Sequence, residues 1–140
     1  LNGAGVMSLA LILAILIPIG FTSAYEHRKE PYYQMISDRE FADFNWIRDN
    51  LDVRYDRALL DPWLALTYPP VADRVIYTHG AVIPGSERAE RTEQAIEFFD
   101  LGGIDNKWLD ANDISVVYSQ IDLDNPGLAK VRDNIYVRRK

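Results

Sequence analysis

The sequence predicts an α/β fold: a small, mainly parallel sheet covered by helices, following an N-terminal transmembrane helix. Three observations predict it. Residues 1–25 carry no charged side chain and hold a nearly unbroken apolar run, VMSLALILAILIPIGF. Downstream, short runs rich in β-branched and aromatic residues, such as ISVVY, alternate with segments of three- and four-residue apolar spacing, the pattern of βαβ units. Beyond the span about 115 residues remain, enough for one domain with its own core and too few for two.

A helix of about 20 apolar residues, rising about 1.5 Å each, crosses the roughly 30 Å hydrocarbon core of a bilayer, so residues 1–25 read as a membrane span. Pro18 is compatible with a span, where neighbouring groups can satisfy the carbonyl a proline frees. Two other readings stand beside it. A cleaved signal peptide could use Thr22-Ser23-Ala24 as its cleavage site but lacks a positive n-region. A core helix with no polar face has little place in so small a domain. The run opens on Leu1 with no basic residue ahead of it, which reads as the tail of a longer chain. Tyr25 and residues 26–30 mark the water interface, and residues 26–36 form a juxtamembrane linker. Arg28 and Lys29 favour a cytoplasmic soluble part by the positive-inside rule, although Glu26 and Glu30 flank them.

The soluble α/β domain occupies residues 37–140. Ser37 and Glu40 form the S-x-x-E capping box, in which each side chain takes the other residue's free backbone N–H, with Ile36 and Phe41 at the staple positions. Phe41, Phe44, Ile47 and Leu51 then recur at helical spacing, predicting a helix over residues 38–50 with these four on its apolar face. Residues 57–60 read as a buried strand stopped by Asp61-Pro62; Asp61 caps a short helix that runs to Tyr68 and is ended by Pro69-Pro70. Residues 74–78 are a second strand. A loop leads to a helix over residues 87–99 with Ala89, Thr92, Ile96 and Phe99 on one face, Glu87 and Arg91 paired, and Gly102-Gly103 closing it. A short helix over residues 107–111 precedes a third strand at 114–118. Asp124-Asn125-Pro126-Gly127 turns the chain, residues 128–131 read as one helical turn, and residues 135–137 are a last strand of either sense.

The formal net charge of −6 falls entirely on the soluble part and argues against nucleic acid, whose phosphates attract Lys and Arg clusters. With no cysteine, disulfide staples, thiolate zinc sites and cysteine nucleophiles are excluded.

The order of segments, an apolar span, PYYQMIS, FNWIRDNL, ALLDPWLALTYPPVADRVIYT, EFFDLGGIDNKWLDANDISVVYS and NPGLAKVRDNIYV, resembles the C-terminal region of multi-pass membrane glycosyltransferases of the C-type superfamily. Among these the likeness is to bacterial and archaeal members of uncharacterised specificity, which transfer sugar from lipid-phosphate donors. The resemblance covers nearly the whole chain. It implies a last transmembrane helix followed by an α/β domain on the extracytoplasmic side of the cell membrane, against the charge-based orientation. It also implies that the catalytic carboxylate lies in an early loop upstream, so no catalytic residue is assigned to this segment.

Asp122-Leu123-Asp124 has the D-x-D spelling with which two carboxylates share a hard cation, but Asp and Asn before Pro-Gly are ordinary turn residues, so no metal is assigned and no cofactor is expected in this segment. Asp61 and His79 are the candidate binding residues. Each falls at the carboxyl end of a strand, where open parallel sheets place their ligand crevices, and a carboxylate orienting an imidazole could support proton transfer. The competing reading makes Asp61 a helix cap and His79 the start of a glycine turn. Trp46, Trp63 and Trp108 could form a carbohydrate platform, since sugars stack their C–H faces on aromatic rings, but core or interfacial packing is the commoner use. Arg138-Arg139-Lys140 reads as a solvated tail.

The chain is thus expected to be an accessory C-terminal domain of a membrane glycosyltransferase-like protein. Its partners would be the lipid bilayer, the upstream transmembrane part of the same protein, and a lipid-linked sugar or acceptor. The alternatives are a single-span, membrane-anchored extracytoplasmic binding module without catalytic activity, and a secreted protein still carrying its signal.

Overall fold

The computed structural model describes residues 36–80 and 83–139. The predicted span, residues 1–25, and nearly all of the linker lie outside the described residues. Among those described, no helix is long and apolar enough to cross a membrane.

Helix α1 (Asp38–Asn50) opens on the predicted capping box: Ser37 N–H donates to Glu40 Oε2 at 2.7 Å, and Glu40 N–H donates to Ser37 Oγ at 3.2 Å. Its buried residues are Glu40, Asp43, Phe44 and Ile47, while Phe41 is 52% exposed. The apolar spacing therefore located Phe44 and Ile47 but not Phe41. Glu40 and Asp43 take that flank because Tyr118, Gln120 and Asn134 supply hydrogen-bond partners there, which offsets the cost of burying a carboxylate.

The chain continues through β1 (Arg57–Leu59), a 3₁₀ turn (Pro62–Leu64), α2 (Tyr68–Ala72) and β2 (Val75–Ile76). The expected short helix ending at Pro69-Pro70 is corrected: those prolines open α2 instead of closing the preceding turn. Proline suits a helix start, where its missing N–H would have no intrahelical partner. Next come α3 (Glu87–Asp100), α4 (Asn106–Ala111) and β3 (Val116–Tyr118). Gly103, at φ +71°, donates its N–H to the Phe98 carbonyl at 2.9 Å and closes α3 in the left-handed conformation that glycine accepts.

Residues 128–131, expected as a helical turn, instead belong to β4 (Leu128–Arg132), which pairs with β5 (Ile135–Arg138) as an antiparallel hairpin across Asp133-Asn134. A local helical preference in LAKV yields to pairing with the IYV strand two residues on. The five strands lie in the order β2-β1-β3-β5-β4. β1 is parallel to both β2 and β3, and the β3–β5 and β5–β4 pairs are antiparallel, so the sheet is mixed and not mainly parallel.

Both faces of the sheet are buried. Ala58, Leu60, Val116, Tyr118 and Ile135 pack under α1 and α2 with Phe44, Ile47 and Tyr68. The alternating neighbours Leu59, Val117 and Tyr136 pack under α3 and α4 with Ala95, Phe98 and Leu109. On α3 the buried residues are Ala89, Thr92, Ala95 and Phe98, so of the expected face Ile96 is 46% exposed and Phe99 packs half-buried at the edge of the core.

Candidate functional site

The chain leaves β1 toward β2 on one side, and leaves β3 toward the hairpin on the other. Loops that diverge from adjacent strands open a crevice at their carboxyl ends, where α/β sheets commonly take ligands. A cleft of about 470 Å³ lies at that place. Asp61, Pro62 and Trp63 line it from the turn after β1, and Tyr118 through Ile121 from the end of β3. Glu40 of α1 closes one side; Ile96, Phe99 and Asp100 of α3 close the other.

Asp61 Oδ1 accepts the Trp63 N–H at 2.8 Å, and the Asp61 carbonyl accepts the Leu64 N–H at 2.9 Å. Pro62 fixes its own φ, so the turn is rigid and holds Trp63 with 86% of its surface exposed. Exposure of a tryptophan on an ordered turn beside a cleft is the informative exception to burial of large apolar groups. Trp46 and Trp108 are half-buried instead, Trp46 beneath the Arg132 guanidinium and Trp108 against Tyr77 and Phe98.

Behind the cleft is a buried polar network. Asp43, 2% exposed, pairs with Arg132 Nε at 2.9 Å and accepts from the Tyr118 hydroxyl at 3.2 Å and Asn134 Nδ2 at 3.3 Å. It ties α1 to β3 and to the hairpin turn. Burial, with the negative charge of Asp43 adding to it, pushes the Tyr118 hydroxyl up to about 12, so it stays a neutral donor. Glu40 accepts from Gln120 Nε2 at 2.7 Å on one oxygen and from the Ser37 hydroxyl at 2.8 Å on the other, which fixes the cleft wall. Among the described residues, Asp100 and the second oxygen of Asp61 have no hydrogen-bond or ion-pair partner.

Of the two candidate binding residues, Asp61 lines the cleft as a turn cap and His79 does not line it. Among the described residues no hydrogen bond or ion pair joins them. His79 is half-buried, its carbonyl accepts the Thr92 hydroxyl at 3.1 Å, and its imidazole is held below its ordinary value by burial, then by Arg88 and Arg91, with Glu87 opposing. No effect of Asp61 is resolved there, so the imidazole lacks the orienting carboxylate that a proton-transfer pair needs.

Asp122 of the D-x-D sequence is ion-paired with Lys130 and accepts from the Tyr136 hydroxyl at 3.1 Å. Those partners, Lys130 first, hold its carboxyl below the usual range. Among the described residues no group of three or more His, Cys, Asp and Glu is placed to hold a metal. Arg138, expected in a solvated tail, belongs to β5; its guanidinium pairs with Asp110 at 2.6 Å and reaches the Gly127 carbonyl at 2.9 Å. The spacing of residues did not reveal Glu40, Ile96, Phe99, Asp100 or Gln120 as cleft residues. The one local signal available was Asp-Pro-Trp directly after a buried strand, which fixes a turn and leaves the indole beyond the sheet.

In comparison with known proteins, the chain matches no family model, no curated protein and no solved structure.

Proposed function

We propose that residues 36–139 are an accessory domain of a membrane-embedded glycosyltransferase-like protein that uses a lipid-phosphate-linked sugar, and that the domain meets the acceptor and not the donor. The observation that supports this reading is the composition of the cleft. Among the described residues its lining includes the carboxylates of Glu40, Asp61 and Asp100 and no Lys or Arg, a set that would repel the phosphates of a lipid-linked donor. The resemblance in segment order also supports it: in such a parent the chemistry would lie in the transmembrane part, and this domain would stand on the extracytoplasmic side of the membrane. In the parent protein, removal of residues 36–140 should raise the KM for acceptor and leave donor binding unchanged. Loss of donor binding, or transfer at the normal rate, would overturn the reading.

The rival reading, an anchored binding module without catalytic activity, draws support from the two-sided core, in which the domain's own helices cover both faces of its sheet. The coding sequence ahead of Leu1 separates the two. About ten further apolar segments of spanning length, with an acidic residue in the first external loop, are expected for the transferase-like parent. A start codon within a few residues of Leu1 would leave the binding module.

A further inference from the structure

We propose that the cleft between the carboxyl ends of β1 and β3 binds a saccharide ring of an uncharged acceptor, with one face of the ring stacked on Trp63 and its hydroxyls donating to Asp61 and Asp100. This rests on the reading of the domain as an acceptor-side unit and names the chemistry that the cleft recognises.

Three observations converge on that ligand. The first is the rigidity of the indole's support: Pro62 fixes the turn, Asp61 Oδ1 pins the Trp63 backbone N–H, and the residue remains 86% exposed. A large flat side chain on a fixed backbone has only two side-chain torsions to lose on contact, which is why exposed tryptophans serve as binding anchors. The second is the division of the lining. Ile96, Phe99 and Ile121 make an apolar surface, and polar groups stand at its edges. A sugar ring has the same division, apolar on its C–H faces and polar around its rim.

The third is which polar atoms remain available. Glu40 is fully engaged by Gln120 and Ser37, and the Ser119 hydroxyl is engaged by the backbone of Ile121. Among the described residues, Asp100 and the second Asp61 oxygen are left to accept, and the Gln120 amide keeps one N–H and its oxygen. That set takes hydroxyl donors. It disfavours an anionic ligand, because among the described residues none that lines the cleft is basic.

The test uses the full 140-residue chain in detergent micelles, with the indole N–H resonances of its three tryptophans as reporters. Neutral trisaccharides of mannose and of glucose are the probes, with mannose 6-phosphate, a lysine-containing tripeptide and anionic lipid vesicles as controls. A neutral trisaccharide should shift the Trp63 resonance and leave Trp46 and Trp108, which lie outside the cleft, in place. Affinities of the variants are read by isothermal titration calorimetry: Trp63→Ala should weaken that binding about tenfold, Trp63→Phe should restore part of it, and Asp100→Asn should weaken it less. Because Trp63 is exposed, both Trp63 variants should fold, and unchanged Trp46 and Trp108 resonances verify this.

The proposal is overturned by equal or tighter binding of mannose 6-phosphate. It is overturned equally if the tripeptide or the vesicles, and no trisaccharide, move Trp63, or if nothing in the panel does. A failure of this kind accompanied by a normal rise in acceptor KM on deletion of the domain would leave the acceptor-side role standing with another ligand chemistry.

Discussion

The turns that follow β1 and β2 start from similar positions and come to different ends. After β1, Asp61-Pro62-Trp63 is pinned by hydrogen bonds at 2.8, 2.9 and 3.2 Å and lines the cleft. After β2, Thr78 donates to the Leu60 carbonyl at 3.0 Å, and His79 holds the Thr92 hydroxyl through its carbonyl, facing two arginines. The difference lies in the sheet order. β1 sits between β2 and β3, and its departing loop diverges from that of β3, whereas β2 is an edge strand with one neighbour. The carboxyl end of a parallel strand is therefore not sufficient to make a site; it must also adjoin a strand whose chain leaves the other way.

Substitutions that undo the β1 and β3 side should cost more than those on the β2 side. The largest effect is expected for Asp43→Ala, which leaves the Tyr118 O–H without its acceptor and Arg132 without its carboxylate, and leaves the Asn134 amide only its 3.3 Å bond to the Tyr118 oxygen. Arg132 can reach water, so the loss should be about 3 kcal/mol, read as a lowered midpoint in urea unfolding followed by tryptophan fluorescence. A loss below about 1 kcal/mol would mean that the network does not fasten α1 to the hairpin. Gly103→Ala attacks the closure of α3. It would place a Cβ 2.9 Å from Leu123 Cδ2 at a backbone φ of +71°, and a loss of about 1–2 kcal/mol is expected in the same assay.

How much of this was legible follows from which forces are local. The capping box at Ser37 and Glu40, the DPW turn and the glycine closure of α3 depend on atoms within a few residues, and each is readable from the chain. The buried face of α1 was not. Phe41 and Phe44 both fit a helical stripe, and burial of Asp43 in place of Phe41 depends on Tyr118 and Asn134, about 75 and 91 residues away. The rotation of α3 has a related cause: Ala95 and Phe98 satisfy the spacing as well as Ile96 and Phe99, and the sheet beneath selects between them. The hairpin is not legible because LAKV has no strand signal of its own, although the two-residue Asp133-Asn134 turn before an apolar run is present in the sequence. The cleft is assembled from four separate stretches of chain, so no motif could announce it.

The Asp61 cap and His79 give the most direct contrast between the two turns. Asp61→Ala removes the acceptor of the Trp63 N–H and should cost about 1 kcal/mol. His79→Gln should fall within about 0.5 kcal/mol at pH 8, because its imidazole makes no hydrogen bond among the described residues. The pH dependence then sharpens the difference. Burial and the arginines hold the His79 imidazole below the 6.5 of an unfolded histidine, so between those two values the unfolded chain binds the extra proton. Stability carried by neutral His79 is therefore full above pH 6.5, declines as the pH falls through that window, and declines no further once the folded imidazole also protonates. His79→Gln should flatten that part of the profile, and Asp61→Asn should leave it unchanged. If acidification through 6.5 instead stabilised the protein and Asp61→Asn abolished the effect, the two turns would be paired in solution, and the contrast between them would fail.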